Sequence, residues 1–115
     1  MLEFYGYAKC GTCRKALKWL EEQGFGYEFI DITETPPTKK LLNDLLKTHD
    51  LKRLFNTSGQ QYRAMNIKDR LSGMTEAEAI DLLAAEGRLC KRPIVTDGRR
   101  HTVGFKDDEF AEVWR

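Results

Sequence analysis

Cys10 and Cys13, in the run Lys9-Cys10-Gly11-Thr12-Cys13-Arg14-Lys15, are the residues of this 115-residue chain best suited to chemistry. A thiol attacks only as its thiolate, and a free cysteine with a pKa of about 8.5 is only a few per cent ionised at neutral pH. At the N-terminus of a helix, unpaired backbone N–H groups and the helix dipole favour an anion. A pKa near 6 there would make the thiol roughly 90 per cent thiolate. Cys10 is placed for that effect if a helix starts beside it, and Lys9 and Arg14 add positive charge nearby. Gly11 lets the backbone bend closely at the turn. Cys13 follows one helical turn on, and this spacing sets Cα atoms about 5 to 6 Å apart, within disulfide reach. The pair therefore reads as an attacking thiol, Cys10, and a resolving thiol, Cys13. The plainer reading of Cys13 is apolar packing, since it falls on the buried face of the expected helix.

A second candidate is Lys91-Arg92-Pro93-Ile94-Val95. A proline entering a strand opposite a Cys-x-x-Cys turn is a candidate cis-proline, because cis bonds are essentially a proline feature. Arg92 would then face Cys10, lowering the thiol pKa or holding an anionic substrate. The alternative is a surface arginine before an edge-strand proline. Cys10, Cys13, Cys90 and His101 can also be written as a Cys3His zinc set, but only one Cys-x-x-Cys is present and the spacing to His101 fits no finger or ribbon, so no metal site is expected. Cys90 at a strand start reads as inert. His49 and His101 lack a motif partner and are expected on the solvated surface, as is the basic scatter of Arg53, Arg63, Lys68 and Arg70.

The elements that hold these residues follow from patterning. Leu2 to Tyr7 reads as a strand, Thr12 to Gln23 as a helix stopped by Gly24, and Tyr27 to Ile32 as a second strand. That βαβ unit with Cys-x-x-Cys at its turn is the thioredoxin-like context. Thr35-Pro36-Pro37 is expected to open a second helix with Leu41, Leu42, Leu45 and Leu46 on one face. Asn56-Thr57-Ser58-Gly59 signals a turn, a helical stretch is expected around Tyr62 to Met65, and Thr75-Glu76-Ala77-Glu78 has capping-box spacing for a helix ending near Gly87. Pro93 to Val95, an Asp97-Gly98 turn and Thr102 to Phe105 form a hairpin, followed by a helix capped by Asp107 or Asp108 and running to Trp114. The expected architecture is a single α/β thioredoxin-like domain of βαβ plus ββα units on one mixed sheet. Residues 1–33 and 88–115 form the sheet core, 34–87 are an all-helical insertion, and the first strand is central.

Composition bounds the function. Nineteen Lys and Arg against 18 Asp and Glu give a formal net charge of +1, which supports neither direct nucleic-acid binding nor attachment to an anionic membrane. The N-terminus enters a strand pattern without a basic region and long apolar run, and no stretch approaches the roughly 20 apolar residues of a bilayer span. Three cysteines do not make a secreted disulfide scaffold. The expectation is a cytoplasmic protein.

On these motifs, together with Leu54-Phe55-Asn56-Thr57-Ser58-Gly59 and Val103-Gly104-Phe105-Lys106-Asp107-Asp108-Glu109, the chain resembles the arsenate reductase ArsC/Spx family of the thioredoxin fold over nearly its whole length. It looks most like the short ArsC-like proteins of Gram-positive bacteria. In the ArsC branch, the resemblance implies that the cysteine matching Cys10 attacks arsenate while a trio of arginines holds the oxyanion. Arg92 matches one of the trio, and the other two positions hold Asn56 and Gly104 or Phe105. In the Spx branch, it implies a Cys10–Cys13 redox switch in a regulator that binds the C-terminal domain of the RNA polymerase α subunit. Cys10, Cys13 and Arg92 are thus the candidate catalytic residues, and Gly11, Thr12, Arg14 and Pro93 the candidate substrate-binding ones. The expected partners are a protein disulfide or a thiol reductant (glutathione, glutaredoxin or thioredoxin), with no bound cofactor.

Overall fold

A computed structural model describes residues 1–115. In chain order the elements are β1 (Leu2–Gly6), α1 (Gly11–Glu22), β2 (Tyr27–Asp31), α2 (Lys39–Leu46), α3 (Gln60–Ala64), α4 (Ile67–Arg70), α5 (Glu76–Ala85), β3 (Ile94–Thr96), β4 (His101–Val103) and α6 (Asp107–Val113), with short 3-10 turns between the middle helices. The chain divides into two compact units, one of residues 1–31 and 92–115 and one of residues 32–91.

The first unit is a four-stranded mixed sheet of order β2-β1-β3-β4. β1 pairs parallel with β2 and antiparallel with β3, which pairs antiparallel with β4. The topology is the thioredoxin-like βαβ plus ββα arrangement, with β1 inside the sheet as expected. The period-two pattern of β1 explains its placement. Leu2 and Phe4 point into the core with Val95 of β3, while Glu3 is exposed. Cys13, Ala16 and Leu20 of α1 complete that core at helical spacing, joined by Phe110 and Trp114 at the C-terminus. α6 is fastened by Trp114, whose buried Nε1–H donates to Thr102 Oγ1 at 3.1 Å, and by Arg100, which lies over the Trp114 ring and donates to Val113 O at 2.9 Å. Its N-cap position is Lys106, one residue before the expected aspartates, which lie within its first turn.

The second unit is helical. Thr75 and Glu78 form the expected capping box at the start of α5. The start of α2 differs from the sequence expectation: the helix opens at Lys39, and Thr38, not Thr35, supplies the cap, its hydroxyl accepting from Leu41 N–H at 3.2 Å. The reason is local. Pro37 biases Pro36 away from helical geometry, so a helix cannot run through the pair, whereas Thr38 follows it with an acceptor side chain. The buried faces Leu41, Leu42 and Leu45 of α2 and Ala79, Ile80 and Leu83 of α5 belong to elements packed against each other. Of the basic scatter, Arg63, Lys68 and Arg70 are exposed as expected, Arg63 and Arg70 donating to the carbonyls of Ser58 and Met65, and Arg53 is half-buried. Neither histidine is fully exposed. His49 Nδ1 lies 3.0 Å from Thr48 Oγ1, and His101 Nδ1 lies 2.7 Å from the buried Thr96 hydroxyl across the hairpin. Near neighbours in sequence or register gave them partners without any motif.

Gly87 sits where the chain touches itself: a Cβ there would collide with the Ile32 carbonyl. Because the obstacle is backbone, it cannot rotate aside. Gly87→Ala is therefore expected to lower unfolding stability by about 1–3 kcal/mol, read as a lower urea midpoint with an unchanged slope. An unchanged midpoint would show that the contact is not made in solution.

Candidate functional site

β1 ends at Gly6, and the chain turns through Tyr7, Ala8 and Lys9 into α1. Cys10 N–H donates to Tyr7 O at 3.0 Å and closes that turn. Cys10 is the N-cap residue of α1, with extended φ/ψ of −88° and 120°, and its carbonyl accepts from Arg14 N–H at 3.1 Å. The sulfur thus stands at the N-terminus of a 12-residue helix, where backbone donors lack helical partners.

The two thiols have opposite environments. Cys10 is half-exposed, and Cys13 is buried in the core under α1. Partial burial pushes the Cys10 thiol up, but the Cys13 backbone N–H, the Cys13 thiol and the Arg92 guanidinium donate to its sulfur and together hold its pKa below the ordinary value. Cys13 moves the other way, up to about 12, chiefly because burial disfavours its thiolate; the Tyr7 backbone N–H opposes this, and the Cys10 thiolate beside it adds to it. The two shifts favour the anion at Cys10 and the neutral thiol at Cys13. None of the three cysteines is in a disulfide.

Arg92 is half-buried and precedes Pro93 through a cis peptide bond, as the sequence suggested. Its guanidinium carbon lies 5.3 Å from the centre of the Tyr7 ring, and its Nε is buried with no hydrogen-bond partner. The surface reading of Arg92 fails because β3, which Pro93 enters, is flanked by β1 and β4 and is no edge strand. Gly11, Thr12 and Arg14 are exposed around the helix start, and Lys9 is exposed beside them. Pro93 is buried, so it shapes the site through the main chain rather than offering a surface to substrate. Its carbonyl accepts from Gly104 N–H at 2.9 Å. Gly6 leaves room beneath the site: a Cβ there would stand 2.5 Å from Phe4 Cε1 and 3.3 Å from Cys13 Sγ.

Tyr7 escaped the sequence reading. Its carbonyl, its N–H and its ring all meet site residues. The strand pairing shows why: Tyr7 follows β1 and Arg92 precedes β3, both beyond the same end of a β1–β3 ladder that closes at Tyr5 and Ile94. Cys90 belongs to the helical unit, buried, its thiol donating to Leu83 O at 3.5 Å. No three His, Cys, Asp or Glu side chains are grouped as metal ligands, and no helix is long and apolar enough to cross a membrane.

Comparison with known proteins places this geometry. The model of the ArsC family matches residues 5–113. The Bacillus subtilis protein YusI is 54% identical over 115 residues, covering 98% of each chain. A Streptococcus mutans structure described as a possible arsenate reductase is 39% identical, superposes with a TM-score of 0.86, and is covered over 98% of its length by 96% of this chain. The global transcriptional regulator Spx of Listeria innocua is 28% identical over 112 residues, 96% of this chain and 84% of that one. With a cysteine pair at the βα turn of a thioredoxin-like sheet and a family match along almost its full length, the chain belongs to the ArsC/Spx family.

Proposed function

We propose that the chain is a thiol–disulfide oxidoreductase that cycles between the dithiol and a Cys10–Cys13 disulfide. The observation that supports this is the placement of the two thiols, Cys10 half-exposed at the N-cap of α1 and Cys13 buried one turn on, which displaces one toward the anion and the other toward the neutral form. The Cys10 thiolate attacks one sulfur of a substrate disulfide. A Cys10–substrate disulfide forms, and the other substrate sulfur leaves as a thiolate that takes a proton from water. The Cys10 sulfur is then neutral, so the charge and hydrogen bond that held the Cys13 proton are gone. Cys13 loses its proton to solvent or to the leaving group and attacks Cys10. The second substrate sulfur departs as a thiolate, and two electrons have passed to the substrate. An external thiol (glutathione, glutaredoxin or thioredoxin) reverses the sequence on the protein disulfide. In an arsenate-reductase-like variant of this chemistry, the buried Nε–H of Arg92 is the donor available to an oxyanion.

A second reading is favoured by the relatives: the likeness to Spx covers 96% of this chain, and MgsR of Bacillus subtilis, a regulatory protein, is 26% identical over 97% of it. In that reading the same disulfide is a sensor, and the partner is the C-terminal domain of the RNA polymerase α subunit. Pull-down with that domain, on reduced and on oxidised protein, separates the readings. Binding that changes with oxidation state favours the regulator, and none in either state removes it.

The pH dependence of Cys10 alkylation tests the thiolate. Because its pKa is lowered, Cys10 is expected to keep reacting with iodoacetamide as pH falls below the midpoint of free cysteine, near 8.5, and to stop only below its own. Arg92→Gln should raise the midpoint and slow alkylation at neutral pH on the order of fivefold, a modest effect because water screens a half-exposed sulfur. A wild-type midpoint at the free-cysteine value would end the thiolate mechanism.

Cys13→Ser should trap the Cys10–substrate disulfide, visible as a mass adduct that the unaltered chain releases. Cys10→Ser should form no adduct. Equal turnover of a disulfide substrate by Cys13→Ser and the unaltered chain would exclude the resolving role.

A further inference from the structure

The side chain that aims Arg92 at the Cys10 sulfur has no carboxylate in it. We propose that Tyr7 is a positioning residue whose ring fixes the plane of the Arg92 guanidinium beside the Cys10 sulfur. The proposal rests on the dithiol reading above and concerns the same site. The Arg92 guanidinium carbon lies 5.3 Å from the Tyr7 ring centre, within the range in which a ring face attracts a cation. Arg92 Nε is buried without a hydrogen-bond partner, so no acceptor fixes that edge of the fork and the ring contact is left to set its plane. A guanidinium is planar and donates along fixed directions. Rotation about its stem therefore decides whether an N–H meets the sulfur. The sheet brings the two residues to the same place. Tyr7 follows β1 and Arg92 precedes β3, beyond the end of the β1–β3 ladder that closes at Tyr5 and Ile94.

The main chain of Tyr7 is committed independently. Its carbonyl holds Cys10 N–H, and its N–H faces the Cys13 sulfur. A substitution at position 7 leaves those groups in place and changes the ring alone. That separates ring from backbone in a way that Arg92 variants cannot. The lowering of the Cys10 pKa includes an Arg92 contribution, and the ring acts only through that contribution.

The test is the rate of iodoacetamide alkylation of Cys10 in the reduced full chain, followed by peptide mass across pH. Tyr7→Leu should raise the midpoint and slow alkylation at neutral pH by about threefold. Tyr7→Phe, which keeps a ring face, should restore the unaltered profile. With Arg92→Gln already in place, Tyr7→Leu should change nothing more, since the ring would have no cation to hold. A Tyr7→Leu profile equal to that of the unaltered chain overturns the proposal. So does an equal slowing whether Arg92 is present or not, which would assign the effect to the turn. If circular dichroism shows that Tyr7→Leu does not fold, 3,4,5-trifluorophenylalanine at position 7 decides. It keeps the shape of the Tyr7→Phe ring while drawing charge from its face. Slower alkylation than Tyr7→Phe supports the proposal, and identical rates overturn it. Failure of the underlying reading looks different: Cys10 in the unaltered chain would then titrate as free cysteine, and the Tyr7 role would fall with it. A lowered midpoint that depends on Arg92 but ignores the ring removes Tyr7 alone.

Discussion

The environment of the Cys10 sulfur organises this site. Its thiolate is favoured by the Cys13 backbone N–H, the Cys13 thiol and the Arg92 guanidinium, which come from one helix and from the approach to a strand paired with β1. None of these donors is mobile over a long reach. The N–H is fixed by α1, the thiol by its burial in the core, and the main chain that carries Arg92 by a strand that enters the middle of the sheet. Preorganised donors stabilise charge well because they need no rearrangement when the charge forms. The sheet core of Leu2, Phe4, Val95, Phe110 and Trp114 thus serves the site by holding α1 against β1.

The asymmetry between the thiols follows from one helical turn. Position 10 lies outside the first turn and meets solvent. Position 13 lies on the buried stripe with Ala16 and Leu20. A buried thiolate is disfavoured and an exposed one at a helix tip is favoured, so the same spacing that permits a disulfide also sets the two thiols in opposite environments. Gly6 belongs to this arrangement, because any larger residue would press on both Phe4 and the Cys13 sulfur. Burial holds the Cys13 thiol toward the neutral form, while the donors around Cys10 favour its anion.

Much of this was readable from residue patterns. Cys10 and Cys13 announced themselves because a short motif at a strand–helix turn carries its geometry with it, and β1 was identifiable as central from the order of its neighbours. The capping box of Thr75 and Glu78 was equally local. The start of α2 was misplaced because Thr35-Pro36 satisfies the rules for a helix start when read alone, and only the second proline shifts the start to Thr38. Tyr7 was missed because its role depends on a partner 85 positions away, brought to the same end of the β1–β3 ladder by strand pairing. His101 was misjudged for a similar reason, since Thr96 faces it only across the hairpin.

The net lowering of the Cys10 pKa is the outcome of opposed effects, and the opposition has chemical value. Burial alone would raise it and the donors alone would lower it further. A thiol whose pKa falls far below ambient pH gains almost no extra thiolate while losing nucleophilicity, and the best attacking thiol has a pKa near the surrounding pH. Stabilising the thiolate also stabilises the dithiol form, which makes the disulfide a better oxidant. Strong anion binding would therefore commit the protein to oxidising its partners, and weak binding would leave it unreactive. The half-buried position of Cys10, set between one guanidinium and the tip of one helix, moderates the lowering. On the proposed reading, such a sulfur passes electrons either way or responds to a change in the surrounding thiol pool. One site geometry can in this way underlie both an oxidoreductase and a redox-dependent regulator in the same family, and the choice between them passes to the surfaces that meet the partner.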